Sequence, residues 1–396
     1  MNIQGNNKNI ILNLFFKIYK HFIPTLKKIL FIAKNYNNIR DYDRKRKLFL
    51  QKNKKKNSNL ILFLFPNNIF NISGGVFSIL NMAAMSRDIL NKQYNILVCY
   101  TTKTRGFSKY IYYPNNEIIY KFKVIMRYYP EPTSLTIFIP EFLSDKLFTD
   151  TSSKEYKYIT SAKYLHINIL NQNFNMMPSP DKLSHLFTCT SHISQTTAHA
   201  NYCTLRNSKK WNMPLRHLGA VFEKDYPFSS YGQKKNIIAY SPDINTASQY
   251  VISKLKKILP RFTFIMISGI SYTDYLEIIS NSKYVISFGE GADGYFYEPF
   301  YCGSIGCAIF NNLFFHPNQK NYFSIYKNYD ELITKFPLMV NFYNKKPIQY
   351  DIDSKRIRDI LPSTKQSWNS FIARLDAFYE GNYNFMPHGC ITRRLY

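Results

Sequence analysis

Two carboxylates, Glu290 and Glu298, stand with seven residues between them in the stretch Ile286 to Asn311, which reads ISFGEGADGYFYEPFYCGSIGCAIFN. The pattern predicts a strand ending at Phe288, a turn made of Gly289, Glu290, Gly291, Ala292, Asp293 and Gly294, and a helix from Tyr295. Three glycines in six residues permit positive φ and a close approach of backbone to a ligand. A helix that starts there aims unpaired N–H groups and the positive end of its dipole at the turn, which favours phosphate or the oxygens of a sugar. Two acceptors flanking that donor-rich turn suit a ligand that is rich in hydroxyls and also carries phosphate. The structural alternative makes Glu298 a complement to the helix N-terminus and Glu290 a solvated turn residue.

Further polar groups sit where strands are expected to end. Asn71-Ile-Ser-Gly74-Gly75 follows the first apolar run, and Pro140-Glu141 closes another. His166, Asn168, Asn171 and Gln172 lie in or just after another strand, in YLHINILNQN, and Thr196-Thr-Ala-His199 follows a further strand. Polar groups at the end of an apolar strand need partners, supplied either by a ligand in a cleft or by a satisfied core network. For His199 the alternative to a site is packing or capping.

These residues need a scaffold. Leu60–Phe65, Asn95–Tyr100, Leu135–Ile139, Tyr164–Ile169 and Leu186–Thr190 read as strands, with a helix over Val76–Leu90. Beyond a linker near Val221–Lys235 the alternation repeats. Strands are expected at Asn236–Tyr240, Phe262–Ser268, Tyr284–Phe288 and Ile305–Asn311, and helices at Ala247–Leu259, Tyr272–Ser280, Tyr295–Cys302 and Ser367–Tyr379. Continuous apolar strands alternating with helices predict parallel sheets covered on both faces. The expected fold is α/β, with two Rossmann-like domains facing a cleft that both sets of loops line. The boundaries are residues 1–58 for a basic arm, 59–225 and 226–366 for the two domains, and 367–396 for a helix and tail packing back toward the first domain.

The 396-residue chain carries a formal net charge of +27, with 45% hydrophobic and 17% aromatic residues. So much apolar surface excludes a disordered protein, and Gly 14 with Pro 18 excludes a collagen-like one. Residues 1–58 hold 12 Lys and 3 Arg against Asp41 and Asp43, so nearly half of the excess charge sits in this arm. Within 10–33, Leu14, Ile18, Phe22, Leu26 and Leu30 recur at helical spacing, interrupted by Pro24. The arm is expected to lie on an anionic membrane surface, against the alternative of a helix packed on its own domain. No run approaches the ~18 apolar residues of a spanning helix. No nucleic acid is expected, because the charge concentrates in the arm and no aromatic-basic sheet motif of RNA-recognition type occurs. The six cysteines form no Cys-x-x-Cys pair and none has a His at zinc spacing, so no metal site is expected and a reducing cytosol fits.

The Glu-x7-Glu pair in its strand, glycine turn and helix resembles the retaining glycosyltransferases of GT-B fold, especially family 4. The resemblance implies that Glu290 contacts hydroxyls of a donor sugar and Glu298 the ribose of a sugar nucleotide, with Gly291, Ala292, Asp293 and Gly294 at the sugar and phosphates. It adds Ser241 and Gly269 as donor-binding candidates, and Gly74, Gly75, His166 and Asn168 as an acceptor or diphosphate region. Glu290, His199 and Glu141 are the catalytic candidates. The implied co-substrate is a UDP- or GDP-sugar, with no further cofactor, metal-independent transfer, and a glycan or lipid-linked acceptor in cell-surface polysaccharide or lipopolysaccharide synthesis. The location would be cytoplasmic, peripheral on the inner face of the membrane. Two departures stand out. Ser241-Pro-Asp-Ile-Asn follows the first strand of the second domain without a basic residue, leaving Arg105, Lys254 or Arg261 for the diphosphate, and one β-α unit after Ser268 is missing. A non-catalytic GT-B-like scaffold and a basic nucleic-acid-binding protein are the rival readings.

Overall fold

The computed structural model of the chain describes residues 57–66, 74–90, 93–100, 110, 112–147, 149–220, 225–360 and 368–388, together with Asp41, Arg44, Lys45 and Leu48. The amphipathic stretch expected over residues 10–33, Asn71 and Arg105 lie outside the described residues.

Leu60 to Phe65 are six consecutive apolar side chains, each at most 2% exposed. Such a run is stable only as a strand covered on both faces. It forms the centre of β1 (Asn57–Phe65), followed by α1 (Gly74–Ile89), β2 (Asn95–Tyr100), β3 (Ile119–Lys121), α2 (Phe122–Tyr128), β4 (Glu131–Pro140), α3 (Glu141–Ser144), α4 (Lys154–Thr160), β5 (Tyr164–Asn171), α5 (Pro180–Cys189), β6 (Ile193–Thr197), α6 (Leu205–Trp211) and β7 (Leu215–His217). The seven strands make one parallel sheet in the order β3-β2-β1-β4-β5-β6-β7.

The second half contains β8 (Lys235–Tyr240), α7 (Thr246–Ile258), β9 (Thr263–Met266), α8 (Tyr272–Asn281), β10 (Ser282–Ser287), α9 (Gly294–Tyr301), β11 (Ile305–Ile309) and β12 (Ile325–Tyr326). These strands form a parallel sheet of order β12-β11-β10-β8-β9. β9 ends this order, paired with β8, and α8 leads from it back to β10 in the interior of the sheet. Three helices follow: α10 (Tyr329–Lys345), α11 (Pro347–Ile360) and α12 (Trp368–Tyr379). No helix among the described residues is long and apolar enough to cross a membrane.

One expectation fails. Leu186–Thr190 is not a strand: residues 186–189 end α5, which starts with Pro180 in its first turn. Leu183 and Leu186, three apart, are fully buried on one helix face. The strand comes slightly later, as Ile193–Thr197.

Hydrophobic packing joins the two halves. Tyr272, Tyr275 and Ile279 of α8 pack in the same cluster as Val76, Tyr110 and Tyr113 of the first half and Phe371, Leu375 and Phe378 of α12. Burying each such side chain contributes roughly 1.5–3 kcal/mol. The α12 helix lies on the first sheet, with the Phe378 ring 5.5 Å from Phe138 and the Tyr379 and Ser86 hydroxyls 2.6 Å apart.

Candidate functional site

Strands of a parallel sheet present their carboxyl ends, and the helices that follow present their N-termini, on the same edge. On the second sheet that edge carries the glycine turn. Gly289 and Gly291 both have φ +81°, a conformation that favours glycine. A Cβ on Gly291 would also lie 2.9 Å from the Ile309 carbonyl oxygen. Asp293 is the N-cap of α9, accepting from the Phe296 N–H at 3.2 Å and from the Ser287 hydroxyl at 2.9 Å. This fixes the turn so that Glu290 projects beyond β10.

Across from it stands the edge of the first sheet. Glu141 opens α3 after β4 and is 2% exposed, accepting backbone N–H groups from Gln172 at 3.3 Å and Asn173 at 3.1 Å. The Asn173 side-chain amide donates to the Glu290 carboxylate, so one residue touches an acid from each half. Gln172 reaches on to α1, donating to the Gly75 carbonyl at 3.1 Å. A Cβ on Gly75 would fall 2.2 Å from the Gln172 Oε1, so the absence of a side chain there is what lets Gln172 dock.

The electrostatics are acidic. Burial pushes the Glu290 carboxyl up to about 7, aided by the charge of Asp243 and opposed by the Asn173 amide. Burial likewise raises Glu141 to about 7, against three backbone N–H bonds and with help from Glu290. Asp293 rises to about 8, again from burial first, with Glu290 and Asp243 adding repulsion despite its capping bonds. Carboxyls that titrate near neutrality in a cleft can exchange protons with a substrate.

A cavity of about 280 Å³ lies here, lined by Asn175, Asp243, Gly289, Glu290, Asp293, Asn311 and Phe314. A second, of about 420 Å³, shares Gly289 and Asn311 and continues past Phe310 and Asn312 to Tyr329. Among the described residues no Lys or Arg lines either cavity. The wall is closed from the first half: Asn201 donates to the carbonyls of Asn312 and Phe315, both at 2.9 Å.

No protein-family model matches the chain, and no curated protein matches it. Solved structures do. The catalytic domain of starch synthase IV from Arabidopsis thaliana, bound to ADP and acarbose, superposes with a TM-score of 0.54 at 9% identity, covering 81% of this chain and 100% of that one. Sucrose-phosphate synthase from Thermosynechococcus elongatus superposes with a TM-score of 0.51 at 10% identity, covering 81% and 98%. The chain has the GT-B fold.

Within this GT-B molecule the residues singled out from sequence fall into distinct groups. Glu290, Glu141, Asp293 and Gly291 gather at the cleft, with Gly75 one residue away through Gln172. His199 is also at the domain junction. Its Nδ1 is 3.2 Å from the Phe314 carbonyl, which can only accept, so Nδ1 carries the proton. Burial lowers its pKa to about 4, leaving the ring neutral. Glu298 is 8% exposed and accepts from the hydroxyls of Tyr272 at 2.8 Å and Tyr226 at 3.3 Å.

The others line neither cavity. His166 and Asn168 belong to a buried chain between β5 and β6, His166 to Ser194 to Asn168 to Thr196, with links of 2.8, 2.9 and 2.8 Å. Burial lowers His166 to about 3. Ser241 ties two strand ends, its hydroxyl accepting from the Phe288 N–H at 2.9 Å. Ala292 is packed into the second core. A Cβ on Gly74 or Gly269 would meet nothing within 4 Å. Arg261 precedes the N-terminal end of β9, at the edge opposite the glycine turn.

Among the described residues no group of three or more His, Cys, Asp or Glu is placed to hold a metal ion. The sequence contains Asp-x-Asp at Asp41 and Asp43 of the arm and, in the second domain, at Asp351 and Asp353. The latter pair is engaged on α11, Asp351 by the Tyr231 N–H at 2.9 Å and Asp353 by the Tyr343 hydroxyl at 2.8 Å. Asn173, Asn175, Asp243, Asn311 and Phe314 are cleft residues that the sequence did not single out. Asn173 sits one residue beyond the amides noted after β5, and its place opposite Glu290 exists only once the two domains are docked.

Proposed function

We propose that the chain is a glycosyltransferase that moves a sugar from a nucleotide-sugar donor to a hydroxyl acceptor, with retention of configuration. The reading rests on one observation above all. Glu290 stands at the glycine turn of the second domain, bonded by Asn173 of the first, and lines a cavity at the junction of the two. The donor sugar would lie against Glu290, with the N-terminus of α9 and the turn backbone facing its phosphates. In a retaining transfer the leaving phosphate oxygen and the acceptor hydroxyl meet on the same face of the sugar, and the proton passes from acceptor to leaving group. Glu290 and Glu141 would orient hydroxyls and stabilise an oxocarbenium-like transition state. No covalent nucleophile is required. A role in cell-surface polysaccharide or lipopolysaccharide synthesis, a UDP- or GDP-sugar as donor, a glycan or lipid-linked acceptor and a peripheral position on the inner membrane face through residues 1–58 belong to the same proposal.

The second reading is a non-catalytic GT-B-like scaffold. It is favoured by the tyrosine hydroxyls already held by Glu298 and by the lack of Lys or Arg around the two cavities among the described residues. Incubation with UDP- and GDP-sugars, following nucleotide release, separates the two. Turnover that falls at least a hundredfold in Glu290→Gln supports the enzyme; no turnover and no binding of any donor rejects it.

A further inference from the structure

The two most exposed large apolar side chains among the described residues are Ile348, at 75%, and Leu338, at 67%. They belong to one hairpin. On α10, Lys335, Leu338, Phe342 and Lys345 follow helical spacing along an exposed face, and on α11 Ile348, Ile352 and Lys355 do the same. Lys346 joins the helices, its Nζ 5.4 Å from the centre of the Phe342 ring. Single exposed apolar residues are ordinary on a protein surface. Four within fifteen residues, on adjoining helices and flanked by lysines, are a patch.

The exposed charges closest in sequence to the apolar residues are Lys345, Lys346 and Lys355. The acids of the two helices are Asp330, exposed in the first turn of α10, and four that have partners: Glu331 with Lys335 at 2.5 Å, Asp351 with the Tyr231 N–H, Asp353 with Tyr343 and Gln349, and Asp359 with Arg358 at 3.6 Å. Lys345, Lys346 and Lys355 form no ion pair among the described residues, so their charges face outward. Apolar side chains that insert beside lysines whose stems snorkel are the makings of an interfacial helix. A second copy of this chain would set these lysines against like charge.

We propose that the α10–α11 hairpin is a docking surface for an anionic lipid bilayer, with Leu338, Phe342, Ile348 and Ile352 entering the interface and Lys345, Lys346 and Lys355 meeting the headgroups. This contact is separate from residues 1–58 and independent of the catalytic reading.

The test uses the full chain carrying Ile348→Trp, mixed with vesicles of phosphatidylglycerol and phosphatidylcholine that bear brominated acyl chains. The tryptophan emission should shift to the blue and be quenched, while Tyr164→Trp, at the amino end of β5, should not respond. Lys345→Glu with Lys346→Glu should weaken partitioning at this site by roughly tenfold or more. The proposal falls if Ile348→Trp is unquenched on anionic vesicles, or is quenched equally by phosphatidylcholine alone. A blue shift without lipid that tracks self-association in sedimentation would assign the patch to a second copy and overturn it too.

Discussion

Asn173 of the first domain donates its side-chain amide to the Glu290 carboxylate of the second, while its backbone N–H donates to Glu141 at 3.1 Å. Two acids raised to about 7 are thus joined through one residue. The bond also favours the ionised form of Glu290, so Asn173 tunes the carboxyl as well as placing it.

Asn173→Ala should therefore lower transfer by roughly tenfold to a hundredfold, the range expected for a hydrogen bond to a charged group at about 1.5–3 kcal/mol. Asn173→Asp should do worse, because it sets a third carboxylate beside Glu141 and Glu290. Nucleotide release under saturating donor is the measurement. Equal activity of the wild type and both variants would remove Asn173 from the site.

Much of this arrangement is legible in the sequence, for a physical reason. Leu60–Phe65 and Tyr284–Ile286 are apolar on both pleat faces, which suits a parallel strand covered on both sides. The glycine turn announces itself because positive φ at Gly289 and Gly291 excludes most residues. Leu186–Thr190 misleads because a short apolar run fits a helix end as well as a strand. The helix α10 escapes notice because Pro337 and several charges break its pattern, although Leu332, Phe336 and Val340 form its buried face. Asn173 cannot be read at all: its partner is 117 positions away, and nothing in an amide's neighbours marks it as facing another domain.

The acidic cleft gives stability a pH dependence with a definite sign. Glu141 and Glu290 rise to about 7 and Asp293 to about 8 in the folded chain, above their ordinary values near 4. Their contribution is fully present below the ordinary carboxylate range and is lost as pH rises through 7 and 8. The melting temperature should accordingly fall between about pH 6.5 and pH 8, above the range in which the buried, neutral His166 and His199 act in the opposite sense. Asp293→Asn, which keeps a good N-cap but removes the buried charge, should flatten the upper part of that fall. A melting temperature that rises over this window would contradict the assignment.

The glycine turn separates two kinds of glycine. Gly291→Ala forces a side chain onto a φ of +81° and brings its Cβ to 2.9 Å from a backbone oxygen that cannot move cheaply. A loss of about 1–3 kcal/mol is expected, seen as a melting temperature lower by several degrees, together with loss of turnover. Gly74→Ala meets nothing within 4 Å and should leave stability near the wild-type value. Equal melting temperatures for the two variants would mean that the turn does not hold this conformation in solution.

Tyr272 couples the carboxylate of the Glu-x7-Glu pair to the domain junction. Its hydroxyl donates to Glu298 at 2.8 Å, its N–H donates to the Tyr112 carbonyl at 2.7 Å, and its ring meets Phe77 and Tyr113 edge-on, each at 5.2 Å. Tyr272→Phe keeps the ring contacts and removes only the hydroxyl, leaving a buried carboxylate short of one donor. That should cost about 1–3 kcal/mol. Glu298→Gln should cost less, because the amide oxygen still accepts from both tyrosines. If the two residues act through this bond, the double variant will be less destabilised than the sum of the single ones, and a double-mutant cycle in urea reads the coupling directly. Unchanged stability of Tyr272→Phe would show that Tyr272 acts by packing alone and would release Glu298 for the ribose of a donor.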